Sequence, residues 1–204
     1  MRHLTKIERP HVLEPELIRS LLSRLRLTHL LQNFPERPLW ALFMFVNGFI
    51  TIALLSAVAM LSHTPFIFPS LGPTAILLFV TPLSPTASPR NTLCGHAIAI
   101  LCGYGSLLVT GLNKESSALA AGIDHRRIIA AALSLALTSG LLVLLQSAHP
   151  PAGATTLIVS LGIVTKPFYL VVIEIAVAIL VLQGILINRT AGLDYPLWAK
   201  RTGT

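Results

Sequence analysis

Twice in this chain a proline, a glycine and a threonine fall in the same spacing. "PSLGPTAIL" from Pro69 and "PPAGATTLI" from Pro150 share P-x-x-G-x-T, 81 positions apart. These are the residue types of a neutral anion cradle. Pro69, Pro73, Pro150 and Pro151 cannot sit inside a helix but suit its first turn, while Gly72 and Gly153 permit a tight turn or a close approach of the backbone. Each stretch therefore predicts an extended lead-in followed by a half-helix, over about residues 73–80 and 154–162. A half-helix begins with unpaired N–H groups and the positive end of the helix dipole, which together favour an anion. The hydroxyls of Ser70, Thr74, Thr155 and Thr156 add donors without a charge that would trap the ion. The substrate-binding set is thus Ser70, Gly72, Thr74, His149, Pro150, Pro151, Gly153, Thr155 and Thr156.

Few groups near these stretches titrate. His96, His149 and Glu174 are candidates for proton coupling or for fixing the broken backbone, and Lys166 is the cation that could pair with Glu174 at an interface. Arg90 and Asn91 open an apolar run and suit a gating or steering role toward an anion. An enzyme would need a nucleophile with its base, a metal cluster or paired carboxylates. One isolated Glu174 with scattered histidines supplies none of these, so no enzymatic activity is expected. Cys94 and Cys102 lie in an apolar run without CxxC spacing and read as small packing residues, with no metal and no cofactor expected.

The elements that hold these residues follow from composition. The chain has 204 residues, 53% hydrophobic and 11% charged, where soluble domains carry about 25% charged residues. That balance predicts an all-α, multi-pass integral membrane protein. Four blocks, residues 40–61, 93–112, 128–145 and 168–187, reach the roughly 20 residues that cross a bilayer. The net charge of +7 sits at the ends of these blocks rather than on one soluble face, which argues against a nucleic-acid partner. Residues 14–34 place Leu17, Leu21 and Leu25 opposite Arg19, Arg24 and Arg26, the pattern of a basic amphipathic helix that lies on the membrane surface or, as the alternative, contacts a partner subunit. The first residues carry no secretory signal pattern. The predicted organisation is a cytoplasmic segment over 1–38, a membrane domain over 39–188 and a short cytoplasmic tail over 189–204.

The matching motifs, each between two apolar blocks, imply an internal duplication of about residues 40–112 and 128–188. Two topologies fit. In the first, four helices cross and both broken segments are re-entrant from one side, which leaves 13 of 15 basic residues cytoplasmic and only Arg90 and Lys166 opposite. In the second, six crossings form inverted repeats with an 11 to 4 split. The charge count favours the first. Gly95, Ala99 and Gly103 recur every four residues, as do Ala132, Ala136 and Gly140, the spacing of close helix packing, here read as faces where the repeats meet. Four spans are few to enclose a pathway, so a homo-oligomer in the bilayer is expected.

The stretches "HPPAGAT" (His149 to Thr155), "LGPTAILLF" (Leu71 to Phe79), "SPRNTLCGH" (Ser88 to His96) and "YPLW" (Tyr195 to Trp198) make the chain resemble the HPP family of small integral membrane proteins from Trp40 to Trp198. The resemblance implies a four-span protein of bacterial membranes or plastid envelopes, some plastid members being associated with nitrite transport. For this chain it points to a bacterial inner membrane. The family-pattern positions here are Gly72, Arg90, Asn91, Gly95, His96, His149, Pro150, Pro151, Gly153 and Thr155. Departures are Pro69 and Pro73, where small residues are commoner, and Glu174, where the family pattern has no acid. The functional expectation is transport of a small inorganic anion, nitrite or nitrate first, bound between the two half-helix N-termini. A non-transporting membrane scaffold is the alternative.

Overall fold

The computed structural model describes residues 26–199, and among them every regular element is helical. In chain order these are α1 (Leu27–Leu30), α2 (Glu36–Ser62), α3 (Leu71–Val80), α4 (Pro89–Thr110), α5 (Ala118–Ala121), α6 (His125–Leu144), α7 (Ala152–Ser160) and α8 (Pro167–Thr190), with a 3-10 turn at Pro85–Ala87. Most of the expected basic amphipathic helix lies outside the described residues, as do Lys200 and Arg201. Its end is the single turn α1.

Four helices, α2, α4, α6 and α8, are long and apolar enough to cross a membrane. Their ends are set by local chemistry. Ser88 accepts from Asn91 N at 3.4 Å with Pro89 at the first helical position of α4, and Asp124 accepts from Arg127 N at 2.8 Å to start α6. Pro167 opens α8 in the same way. Gly111, at φ +68°, takes the left-handed conformation that ends α4.

The other two apolar helices, α3 and α7, have ten and nine residues. At about 1.5 Å per residue they are too short to span the roughly 30 Å of hydrocarbon. Both begin two residues before the expected start, so Gly72 and Gly153 lie within first turns rather than in bends. Neither has a positive φ, and a side chain at Gly72 would meet nothing within 4 Å. Their expected role as turn or close-approach glycines is therefore corrected: the helices have room for a Cβ there.

The broken segments do not turn back to the face from which they start. Thr81 and Pro82, after α3, share a groove with Trp40 near the start of α2. The start of α4 is held at that same end, because Arg90 N donates to Trp198 O beyond α8. Leu161, after α7, accepts from Ala118 N at the opposite end, in the connection between α4 and α6. Each broken segment thus runs from one end of the bundle to the other. This corrects the favoured re-entrant return, since a charge count is blind to which end of α2 the chain meets after α3.

The helices interlock across the two halves. Helix α7 packs on α4 and α6, while α3 packs on α8 and α2, with α4 against α8 between them. Leu71, Leu78 and Phe79 of α3 join Ile173, Val177 and Leu180 of α8 in one core, and Ala99 and Cys102 of α4 join Ala152 of α7 in a second. Cys102 is therefore a packing residue. Outward-facing Phe45, Phe49, Leu101, Val109 and Val143 give the bundle an apolar surface suited to lipid.

Candidate functional site

The two matching threonines occupy the same position in their helices, the fourth residue of α3 and of α7. They meet on one imidazole. His96, seven residues beyond the start of α4, has Nε2 2.9 Å from Thr74 Oγ1 and Nδ1 2.7 Å from Thr155 Oγ1. His149 stands beside it, ring centroids 5.0 Å apart, with Nε2 3.4 Å from the same Thr74 oxygen and Nδ1 2.8 Å from Thr86 O. Thr74 Oγ1 also lies 3.0 Å from Ser70 O. All four side chains are fully buried. Because a carbonyl oxygen only accepts, His149 Nδ1 carries a hydrogen and points it at Thr86.

This centre exists because the backbone around it is pinned. A Cβ on Gly95 would lie 2.7 Å from His149 Cβ, so only glycine lets the His149 segment lie against α4. Arg90 donates to Leu145 O at 3.1 Å and Gln146 O at 2.9 Å, and Asn91 Nδ2 donates to Ala148 O at 3.3 Å. These bonds satisfy carbonyls left open at the end of α6, where Gln146 turns at φ +50°. The two residues read as gating candidates thus fasten the stretch that leads to His149. Tyr195 of the tail, fully buried, donates to Ala87 O at 2.5 Å and so holds the segment that carries Thr86. Burial pushes the Tyr195 phenol above its ordinary pKa, which keeps it a donor.

The remaining expected residues divide. Ser70 is fully buried at the N-cap of α3 and its hydroxyl has no partner. Thr156 turns away from the centre and donates to Ser134 O at 3.4 Å. Pro151 is buried, and Pro150 lines an apolar surface groove with Pro73 and Ala154. Glu174 makes no hydrogen bond to the centre, its Oε2 is buried without a partner, and Lys166 lies over the Tyr169 ring rather than beside it. The expected Glu174–Lys166 pair is absent, the one ion pair among the described residues being Arg126–Glu115 at 3.9 Å.

The small-residue stripes also part company. Gly95, Ala99 and Gly103 are buried, and a Cβ on Gly103 would lie 2.8 Å from both Thr156 O and Val159 Cβ. Ala132, Ala136 and Gly140 are exposed on the outer side of α6. That stripe is not where the halves meet, because α6 turns Arg127, Ala130, Ser134, Thr138 and Leu142 inward instead. Ser134, which donates to Ser160 Oγ at 2.9 Å, and Thr86 were missed by sequence reasoning. Inward spacing with Ala130 and Thr138 could have found Ser134, but Thr86 acts through its carbonyl and has no side-chain signal.

Residues 35–196 match the family model described as HPP, transmembrane region. Two transmembrane proteins of Dictyostelium discoideum are similar to the chain, each 31% identical, over 137 and 123 residues. The matches cover 63% and 58% of this chain but 44% and 35% of the relatives, so the chain spans less than half the length of these curated relatives. No solved structure matches it.

Proposed function

We propose that this chain, which belongs to the HPP transmembrane family, moves a small inorganic anion across a membrane, with nitrite or nitrate as the first substrate class. The observation that carries the reading is the bridge Thr74–His96–Thr155, which brings the first turns of two broken helices to one buried point. Half-helix N-termini directed at a common site inside a bundle turn the positive ends of their dipoles toward an anion, while the first N–H groups of α7, at residues 152–154, bond to the carbonyls at 149–151. The Ser70 hydroxyl, buried and without a partner at one of those N-termini, is a free donor.

The duplication belongs to this reading. Helices α2, α3 and α4 correspond to α6, α7 and α8, and each half-helix packs on the first helix of its own half and the last of the other. Counting the broken segments as traverses gives six passes with inverted halves. Both ends of the described chain then share the side that carries 11 of the 15 basic residues, the cytoplasmic side by the positive-inside rule. The centre is closed in this arrangement, so transport proceeds by rocking of the halves about the Pro-rich breaks, which opens it alternately to either side. The outward stripe Ala132, Ala136 and Gly140 is the face on which a second copy of the chain would pack.

Thermal unfolding of the detergent-purified protein against nitrite, nitrate, chloride, formate, bicarbonate and sulfate at constant ionic strength tests the site. A ligand that binds only the folded form stabilises it by about 2.7 kcal/mol at 100-fold over its dissociation constant. We expect a saturable rise for a small monovalent anion that Thr74→Val/Thr155→Val abolishes. An equal response in that variant removes the proposed site, and no response to any anion favours the scaffold reading.

A further inference from the structure

We propose that the centre takes up one proton, on Nε2 of His149, with each anion it binds, so that the pair crosses together without net charge. The inference rests on the anion reading above and names its co-substrate.

The argument is a count of hydrogens. His149 Nδ1 spends its hydrogen on Thr86 O at 2.8 Å, so Nε2 of the neutral ring is a bare lone pair. It faces Thr74 Oγ1 at 3.4 Å. That hydroxyl has a single hydrogen and a nearer acceptor, Ser70 O at 3.0 Å, with His96 Nε2 at 2.9 Å as a third claimant in one of its tautomers. Several lone pairs thus converge on one hydrogen in a centre sealed from water. A proton added to His149 Nε2 resolves the shortage: Thr74 Oγ1 accepts from both rings and donates to Ser70 O, while His96 Nδ1 accepts from Thr155. Every polar atom of the four side chains is then paired.

The charge cannot stay there alone. A cation beside the positive ends of α3 and α7 is repelled, and no carboxylate bonds to the centre to compensate it. Helices α3 and α7 and residues 81–88 carry no ionisable side chain, and α6 carries none between Ile128 and Leu144. On α4, Arg90 is committed to the carbonyls at 145 and 146, and the centre's hydrogen bonds include none to Cys94, Cys102 or Tyr104. On α8, Glu174 has no bond to the centre, and Lys166 and Arg189 stand at its two ends. His96 is the other titratable ring, and its two nitrogens already have partners. A bound anion is therefore the counter-charge, and proton and anion strengthen one another's binding by linkage.

The test uses wild-type protein in liposomes that hold a pH indicator, with nitrate outside and the voltage clamped by potassium and valinomycin. The expected result is nitrate entry with luminal acidification of about one proton per nitrate and no dependence of rate on the clamped voltage. His149→Asn keeps a donor for Thr86 O but lacks the second ring nitrogen, and its flux should lose the proton. Nitrate entry as net charge without acidification overturns the coupling and leaves the anion reading intact. Absence of both entry and binding removes the anion reading itself. As a check independent of flux, nitrate added to weakly buffered detergent-solubilised wild type should take up about one proton per bound ion, and its affinity should fall about tenfold per pH unit above the titration. Zero uptake there, or unchanged uptake in His149→Asn, overturns the proposal.

Discussion

Helices α4 and α6 carry the same spacing of small residues and put it to opposite uses. Gly95, Ala99 and Gly103 let the His149 segment and α7 approach α4 until a single Cβ would collide, whereas Ala132, Ala136 and Gly140 face outward from α6 with nothing within 4 Å of a Cβ at Gly140. The difference lies in position within the bundle. Helix α4 is packed by α6, α7 and α8 together, while much of α6 remains on the surface. Lipid is as apolar as leucine, so burial of apolar area gives little drive for helices to associate in the bilayer. Close backbone approach, with the dispersion and hydrogen bonds it permits, is what α4 gains from its glycines.

The comparison is broken most severely at Gly103. A Cβ there would stand 2.8 Å from the backbone oxygen of Thr156, which cannot rotate aside as a side chain could. Gly103→Leu should cost about 3 kcal/mol or more, seen as loss of a folded, monodisperse species in detergent. A cooperative transition at the wild-type temperature would mean that α7 slides on α4, and that the centre is less fixed than its distances imply.

The next effect separates the inner faces of the two helices. Thr155→Val keeps the side-chain shape but leaves His96 Nδ1 without its 2.7 Å partner, a buried ring nitrogen unsatisfied at about 1–3 kcal/mol. Ser134→Ala on α6 removes the 2.9 Å bond to Ser160, whose hydroxyl can turn to another acceptor, so the loss should stay near about 1 kcal/mol. Thermal unfolding of both variants under one condition ranks them. Ser134→Ala as the more damaging would place the critical polar contact between α6 and α7 rather than at the centre.

These contrasts also mark what a sequence can carry. The four long helices were legible because about 20 apolar residues in a row leave little choice in a bilayer. They lie at Glu36–Ser62, Pro89–Thr110, His125–Leu144 and Pro167–Thr190, within a few residues of the apolar blocks. The half-helices were legible from proline, though their starts were set late, since Gly72 and Gly153 look like turn residues and in fact sit in first turns. Thr74, Thr155, His96 and His149 were each singled out, but their convergence was not, because no local pattern joins His96 to a threonine 22 positions before it and another 59 positions after it. Arg90 looked like a free cation for the same reason: its partners are backbone carbonyls, and every residue has one. Spacing identifies a helix face that lacks side chains; it does not say what covers that face.

Gly140 sharpens the comparison with the smallest expected change. It lies inside α6 with ordinary helical backbone and open space around its Cα. In the isolated protomer, Gly140→Ala should add about 0.5–1 kcal/mol, because glycine loses more chain entropy than alanine on entering a helix. If a second copy packs on the stripe closely enough to need glycine, the added methyl costs stability instead, and it does so in proportion to the fraction of oligomer. The discriminating measurement is the unfolding temperature of wild type and Gly140→Ala across a dilution series that spans dissociation. A gain at every concentration leaves lipid as the neighbour of this face, whereas a gain only on dilution places a second protomer there and makes the two stripes alike after all, one closed within the chain and one between chains.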